Sequence, residues 1–210
     1  MIYRVKQRIR NLIFIIVLHL PVSIFATELT LVMTTKDGAL LRDAVVELTP
    51  VNASNIKNKP AMLGSITQID KTFIPFVTII PINSKINFPN KDKTRHHVYS
   101  FSEAKSFQLR LYIGEPKEAI HFDKAGIVAL GCNIHDAMEA YVYVTNSFFT
   151  QKSNQEGVIV LKSLPKGEYL MDFWHPWQEE SLVDVPISIT SDNLSIQISL
   201  DVFNENNLNI

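Results

Sequence analysis

The chain of 210 residues is predicted to be all-β, a sandwich or barrel of short strands. Residues 106–112 alternate between polar and apolar side chains, which is the period of a half-buried strand. Asp37-Gly38 lies between the apolar runs 29–33 and 44–48, and Asp-Gly between such runs is a hairpin signal. No segment has an amphipathic helical period longer than a turn or two. Short strands with closely spaced turns are typical of sandwiches and barrels.

The remaining strands are predicted in order from the same patterns. Pro75 and Pro81 interrupt an apolar segment at 73–82, and proline fits a sheet edge or a bulge rather than a central strand. Polar stretches at 52–60 and 150–157 are predicted loops, and the second is a candidate domain boundary. The further predicted strands are 85–88, 97–101, 106–112, 119–122, 126–130, 138–144, 158–161, 169–174, 183–189 and 194–200.

The N-terminal residues 1–26 are predicted to be a secretory leader. A basic start precedes an apolar run at 12–20, and cleavage after Ala26 would leave Thr27 as the first residue. The run is too short to span a bilayer comfortably, and an uncleaved anchor is the alternative. No later segment reaches the apolar length of a membrane helix. The basic residues of the leader are Arg4, Lys6, Arg8 and Arg10.

Export changes the charge and the expected surroundings of the chain. The whole sequence has 20 basic and 21 acidic residues; without the four basic residues of the leader, 16 basic residues stand against 21 acidic ones, a net charge of −5. Nucleic acid is not expected as a partner, because its binding calls for a basic stripe. The mature chain is expected to be periplasmic or secreted, with no membrane span after cleavage of the leader.

Cys132 is the only cysteine of the chain, and it begins the pattern Cys-x2-His-x2-Met with His135 and Met138. An odd cysteine in an exported protein needs an explanation, since free thiols are oxidised outside the cell. A buried structural cysteine is the alternative, because free cysteine is among the most buried residue types. The thiol, imidazole and thioether within seven residues favour a metal ligand, and this donor set suits copper.

A second imidazole is expected from His96 or His97, which lie 36 and 35 residues before Cys132. A thiolate, two imidazoles and a weak axial methionine describe an electron-transfer copper site. In a strand of period two only one of the neighbouring histidines can face the site, and we favour His96. His121 and His175 are expected to serve packing rather than the metal.

These motifs resemble those of the cupredoxins, the small blue copper proteins that include plastocyanin and amicyanin. The likeness covers about residues 65–146, and Cys-x2-His-x2-Met is similar to the amicyanin loop. It implies a Greek-key β-sandwich that binds one type 1 copper through His96, Cys132, His135 and Met138. His97 stands where the family has an asparagine that braces the cysteine loop, so it could brace that loop through a ring nitrogen or compete for the metal.

The wider run around Cys132 is more similar to exported plastocyanin-like proteins that carry the label "methylamine utilization protein". Segments outside it, at 35–46, 153–157 and 164–169, resemble turns of small carboxypeptidase-regulatory-like, transthyretin-like β-sandwiches. Either the cupredoxin is inserted into such a sandwich, or residues 28–50 supply its first strands. The expected division is a leader at 1–26, an N-terminal β segment at 27–60, a cupredoxin domain at 61–146 and a regulatory-like β domain at 147–210.

The function expected from this resemblance is single-electron transfer between periplasmic redox partners. Copper binding or delivery by the same ligands, without electron transfer, is the alternative. An enzyme is not expected, because Cys132 and His135 are only three residues apart, a poor spacing for a catalytic dyad. The sequence has no His-Glu-x-x-His motif and no glycine-rich phosphate loop.

Overall fold

The computed structural model describes residues 27–52 and 59–203, and every helix or strand element within them is a β-strand. The all-β prediction is confirmed. No helix among these residues is long and apolar enough to cross a membrane, and the predicted leader lies outside them.

The strands are β1 (Glu28–Thr35), β2 (Val45–Pro50), β3 (Leu63–Ser65), β4 (Thr67–Ile69), β5 (Thr72–Ile74), β6 (Val77–Pro81), β7 (Ser84–Asn87), β8 (His96–Ser102), β9 (Lys105–Tyr112), β10 (Ile120–Phe122), β11 (Gly126–Cys132), β12 (Glu139–Thr145), β13 (Phe149–Lys152), β14 (Val158–Lys162), β15 (Gly167–Trp174), β16 (Leu182–Ile189) and β17 (Asn193–Leu200).

The strands from the two ends of the chain pair with each other, and we call β1, β2 and β13–β17 the terminal unit. One sheet has the order β14-β1-β17, with β1 parallel to β17 from Glu28↔Asn193 to Thr35↔Leu200. The other has the order β13-β2-β15-β16. Their inward residues form one apolar core that includes Leu31 and Phe173. The chain therefore leaves this unit after β2 and returns to it at β13.

Strands β3–β12 form a second unit, which we call the central unit. Its main sheet has the order β6-β12-β11-β8-β9, and a smaller sheet has the order β10-β7-β3. Buried residues of both sheets, such as Val128 and Phe122, form a separate apolar core. Strand β8 shows how the alternation builds this core: His96, Val98 and Ser100 are buried, whereas the residues between them face outward.

The prolines of the predicted 73–82 segment lie at strand ends. Pro75 separates β5 from β6, and Pro81 is the last residue of β6, which is an edge strand of the main sheet. Neither proline lies in a central strand, as predicted, and only Pro81 belongs to an edge strand; the single predicted segment is in fact two strands. The short strands β3, β4 and β13 were not predicted, because three or four residues carry too little alternation to be recognised.

Aromatic side chains join the two units. The Trp174 ring packs against Tyr141 and Tyr143 of β12 at centroid distances of 5.6 and 5.9 Å. At the same boundary Glu47 of β2 accepts a hydrogen bond from the Thr145 hydroxyl at 3.0 Å. Burial raises the pKa of the Glu47 carboxyl, although the hydrogen bond from Thr145 opposes this. The terminal unit thus covers the outward face of β12.

Candidate metal centre

Sheet pairing brings the distant histidine to the cysteine. Cys132 is the last residue of β11 and lies opposite Val98 of β8, whereas His96 is the first residue of β8. Because β8 and β11 are antiparallel neighbours, the end of one strand lies beside the start of the other. Both residues point into the sandwich, since His96 is 0% and Cys132 is 3% exposed. A separation of 36 residues in sequence becomes a direct contact.

Three of the predicted ligands converge on one point. The Cys132 Sγ lies 3.6 Å from His96 Nδ1 and 3.9 Å from His135 Nδ1. The donor atoms of these three residues all lie within 4.8 Å of one another. At metal distances of about 2.0 Å to nitrogen and about 2.3 Å to sulfur, donors at tetrahedral to trigonal angles lie roughly 3.5 to 3.7 Å apart. The three donors therefore fit one metal ion with little movement.

The orientation of the His96 ring directs its Nδ1 atom toward Cys132 and leaves that nitrogen available to a metal ion. Its Nε2 lies 2.8 Å from Asp92 Oδ2. A carboxylate accepts hydrogen bonds, so Nε2 carries the proton and Nδ1, which faces Cys132, keeps its lone pair. Carboxylates that bind the far nitrogen of a metal-binding histidine fix its tautomer and orient its ring.

Asp92 is itself held by the β4–β5 hairpin. It accepts the backbone N–H groups of Asp70 and Lys71 at 2.6 and 2.9 Å, and both of those residues have positive φ in the two-residue turn. Burial alone would raise the pKa of Asp92, but the hydrogen bonds from the Lys71 amide, the His96 ring and the Asp70 amide together hold it below its ordinary value. Sequence reasoning missed Asp92, whose only signal is its position four residues before His96.

The turn that leads into His96 is organised by Asn90, which is 3% exposed. Its side-chain amide donates to the carbonyls of Thr94 and Tyr112 at 2.9 and 2.8 Å. Its side-chain oxygen accepts the Asp92 amide at 2.9 Å. One buried side chain therefore closes the loop and places the Asp92 carboxylate under the His96 ring.

The loop after Cys132 places the other two predicted ligands. The Met138 amide donates to the His135 carbonyl at 3.0 Å, which closes the turn between them. Met138 is 1% exposed and belongs to the core of the central unit. His135 is partly exposed, and its ring lies 5.0 Å from that of His96. The site thus has one fully buried imidazole and one that reaches the surface.

His97 lies on the other face of β8 and does not join the three-donor group. Its carbonyl accepts the Asn133 amide at 3.3 Å, so the cysteine loop is braced through the backbone rather than through the ring. The Nε2 atom of His97 is buried without a hydrogen-bond partner in the described part of the chain. Its ring is edge-on to Tyr99 at 6.1 Å. Geometry therefore favours His96 over His97.

The two remaining described histidines lie elsewhere. His121 is exposed on β10. His175 is 3% exposed and follows β15 in the terminal unit. Burial lowers the pKa of His175 to about 4, although a hydrogen bond with the Arg42 backbone opposes this. Neither histidine joins the donor group found among the described residues.

The fold and these donors together define a β-sandwich protein with one thiol and two imidazoles placed where they could hold a metal ion. Solved cupredoxins are similar: an amicyanin from Paracoccus versutus is 16% identical, covering 47% of this chain and 97% of its own, with a TM-score of 0.35. A purple cupredoxin from Nitrosopumilus maritimus is 18% identical, covering 39% of this chain and 99% of its own, with a TM-score of 0.33.

A copper-containing nitrite reductase from Thermus scotoductus SA-01 is 21% identical with a TM-score of 0.38. The match covers 46% of this chain and only 25% of the reductase. No family model and no curated protein sequence matches the chain. The functional conclusion therefore rests on the site's own residues.

Proposed function

We propose that this protein is an exported, cupredoxin-type copper protein that carries single electrons between periplasmic redox partners. Its ligands to one type 1 copper ion are His96, Cys132, His135 and Met138. The observation that supports this proposal is the convergence of a thiol and two imidazoles within 4.8 Å at one end of a β-sandwich. Met138, which is buried and whose amide closes the turn from His135, supplies the fourth donor in the proposal.

The donor set selects the metal. Thiolate and thioether sulfur are soft ligands that favour copper over magnesium, calcium or manganese, which prefer oxygen. One cysteine and two histidines with a weak axial methionine match electron-transfer copper sites. Copper, when bound here, supplies a one-electron couple between Cu(II) and Cu(I). Cys132 must be deprotonated to bind it, so loading releases a proton.

The protein's part in electron transfer is to hold its ligands still. His96 is fixed by Asp92, and the ends of the cysteine loop are tied by backbone hydrogen bonds from Asn133 and Met138. Ligands held in place by the scaffold need to move little when the charge of the ion changes. His135 is partly exposed and gives the buried site a route to the surface. Four protein donors leave no open position for a substrate, so catalysis is not part of the proposal.

The decisive experiment is titration of the chain beginning at Thr27 with Cu(II), followed by visible spectroscopy and voltammetry. We expect a strong thiolate-to-copper charge-transfer band at one equivalent and a reversible one-electron couple. Cys132→Ser should abolish the band, whereas His121→Ala, a matched exposed histidine, should keep it. Tight Cu(I) binding with no band and no reversible couple would instead support copper delivery.

The upstream ligand is tested separately. His96→Ala should remove the charge-transfer band, and His97→Ala should keep it, because only His96 faces Cys132. Loss of the band in His97→Ala alone would overturn the assignment. Export is tested by fractionation of expressing cells and by the mass of the secreted chain, which should begin at Thr27.

A further inference from the structure

Strand β17 of the terminal unit is an edge strand that is open to a further strand. It forms one edge of the sheet β14-β1-β17, and its eight residues, Asn193–Leu200, include no charged residue and no proline. Its pairing with β1 runs without a bulge. The flanking Asp192 and Asp201 are paired with Lys166 and Lys36 of the same chain. Proteins usually block exposed edges with charges, prolines or bulges, because unpaired N–H and C=O groups otherwise bind another strand.

The other edge strands longer than three residues are blocked, within the part of the chain that the structure describes. Each contains a proline or a charged side chain: Pro81 in β6, Lys105 and Arg110 in β9, Lys152 in β13, Lys162 in β14, and Asp184 and Pro186 in β16. Asp184 also has a positive φ, which departs from strand geometry. The unblocked edge is therefore particular to β17.

The free backbone groups of β17 belong to alternate residues. The Glu28 amide donates to the Asp192 carbonyl at 2.8 Å, and β1 and β17 are parallel. In a parallel ladder that begins with this bond, the residues of β17 that bond to β1 are the even-numbered Leu194, Ile196, Ile198 and Leu200. The N–H and C=O groups of residues 193, 195, 197 and 199 consequently point away from β1, toward the open side.

The open part of this edge ends at residue 199. Just beyond it, the Glu179 amide donates to the Asp201 carbonyl at 2.9 Å, and the Phe203 amide donates to the Trp177 carbonyl at 2.8 Å. Asp201 and Phe203 continue the odd-numbered series, so these bonds agree with the direction deduced for residues 193–199. The open edge thus consists of residues 193–199.

This open edge is complementary to itself. When two copies lie antiparallel about Ile196, Ser195 is opposite Gln197 of the second copy and Asn193 is opposite Ser199. Every outward N–H and C=O group of the edge then has a partner, and no charged side chains face each other. A register shifted by two residues loses a pair of hydrogen bonds, because it moves Asn193 or Ser199 past the end of the open edge.

The inner face of β17 adds apolar contacts to this pairing. Leu194, Ile196 and Ile198 pack against the core of the terminal unit but are only partly buried. In the register about Ile196, this residue lies opposite its own copy and Leu194 lies opposite Ile198. Side chains at such positions, which do not exchange backbone hydrogen bonds, approach most closely. The pairing would therefore extend the apolar core of each copy.

We propose that two copies of this chain pair through β17 into a two-fold symmetric dimer, in which the two β14-β1-β17 sheets join edge to edge. A second copy fits this edge better than an unrelated strand does, because the open residues are centred on Ile196 and satisfy each other completely. Such an interface is closed, since each copy uses the same surface. The proposal rests on the terminal unit alone and does not depend on the proposed copper site.

Sedimentation equilibrium of the chain beginning at Thr27 tests the dimer, and the wild type should have twice the mass of one chain. Ser195→Lys with Gln197→Lys places lysine side chains opposite each other and should weaken the dimer roughly tenfold or more. Ser195→Lys with Gln197→Glu places opposite charges at the same positions and should restore it. The matched control is Ser106→Lys with Gln108→Lys, which changes the same residue types at the same spacing on β9 and should leave the mass unchanged.

Amide hydrogen exchange, followed by NMR, locates the interface and shows whether the variants are folded. Dilution of the wild type should speed exchange at residues 193, 195, 197 and 199, whereas the Ile196 and Ile198 amides, which bond to β1, should stay protected. In Ser195→Lys with Gln197→Lys, continued protection of Ile196 and Ile198 would show that the dimer is lost and the fold is kept.

A wild type that remains a monomer at the concentrations used for NMR would overturn the proposal. So would a dimer that survives Ser195→Lys with Gln197→Lys, or one that dissociates in the Ser106 and Gln108 control, because the interface would then lie elsewhere. Assemblies that keep growing with concentration would also overturn it, since a two-fold pairing closes at two copies.

Discussion

Each unit of the molecule buries one histidine, and the two are used in opposite ways. In the terminal unit, His175 is 3% exposed, and its Nδ1 accepts the Trp177 amide at 3.3 Å. In the central unit, His96 is 0% exposed, but only its Nε2 is occupied by a protein partner, Asp92. Its Nδ1 faces the Cys132 sulfur instead.

Burial of a histidine therefore does not by itself indicate a metal site. The Nδ1 atom of His175 accepts a backbone amide of its own turn, so this lone pair is already used within the protein. His96 has a carboxylate on one nitrogen and two other soft or borderline donors near the second. The free lone pair that faces further donors is the feature that separates a ligand from a structural residue.

The largest expected effects are losses of stability caused by substitutions in the two separate apolar cores. Phe122→Ala should lower the free energy of unfolding of the central unit by about 3 to 5 kcal/mol, and Leu31→Ala that of the terminal unit by about 2 to 5 kcal/mol. Trp174 and Trp177 pack on Tyr141 and Phe76 of the central unit, so tryptophan fluorescence responds to the unfolding of either unit. NMR signals of Ile159 and Val128 report separately on the terminal and central cores.

If the two units fold independently, Phe122→Ala moves the urea transition of the Val128 NMR signals and leaves that of the Ile159 signals in place. An Ile159 transition that shifts by the same amount would show that the units unfold as one, through contacts such as Trp174 on Tyr141.

The same substitution, histidine to alanine, is expected to have different effects at the two buried histidines. His96→Ala should weaken copper binding by more than about 100-fold, because it removes a proposed ligand. Loss of a residue that only hydrogen-bonds a ligand already costs roughly 10- to 100-fold in affinity. His175→Ala should lower the free energy of unfolding by roughly 1 to 3 kcal/mol, because it leaves the Trp177 amide without its acceptor. Competition with a chromophoric Cu(I) chelator and urea unfolding measure the two effects. Weakened copper binding in folded His175→Ala would contradict this division of roles.

Replacing Asp92, which orients the His96 ring, should have a smaller effect on copper binding. Asp92→Ala is expected to weaken copper binding about 10- to 100-fold, because the ring loses the carboxylate that orients it. Asp92→Asn keeps an acceptor oxygen and should restore part of the affinity. The matched control is Asp123→Asn, an exposed aspartate paired with Lys105. Equal affinities of the Asp92→Ala protein and the wild type would show that the carboxylate does not position the ligand.

The smallest expected effect, taken per pH unit, is a pH dependence of stability from His175. Burial lowers its folded-state pKa to about 4, whereas the unfolded chain titrates near 6.5. Between these values the unfolded state binds a proton that the folded state does not, so stability falls as the pH is lowered from about 6.5 to about 4. In urea unfolding, the free energy of unfolding should fall with decreasing pH in both proteins. The fall should be about 1 kcal/mol per pH unit larger in the wild type than in His175→Gln. His121→Gln should behave like the wild type, and equal slopes in all three proteins would refute the assignment.

The parts of the site that could be predicted from sequence are local. Cys132, His135 and Met138 lie within seven residues, and the end of an alternating strand places Cys132 inside the sandwich. Asp92 could not be predicted, because its role depends on backbone amides of the β4–β5 turn more than twenty residues away.

The sequence by itself determined the strand-rich character of this protein, the donor types and the spacing of the cysteine loop. These follow from side-chain periodicity and short-range chain geometry, which act over a few residues. Only the tertiary structure decided that β1 pairs with β17, that His96 rather than His97 faces Cys132, and that Asp92 fixes its tautomer. Those outcomes depend on strand order and register between distant segments, and strand pairing over such separations leaves no local pattern in the chain.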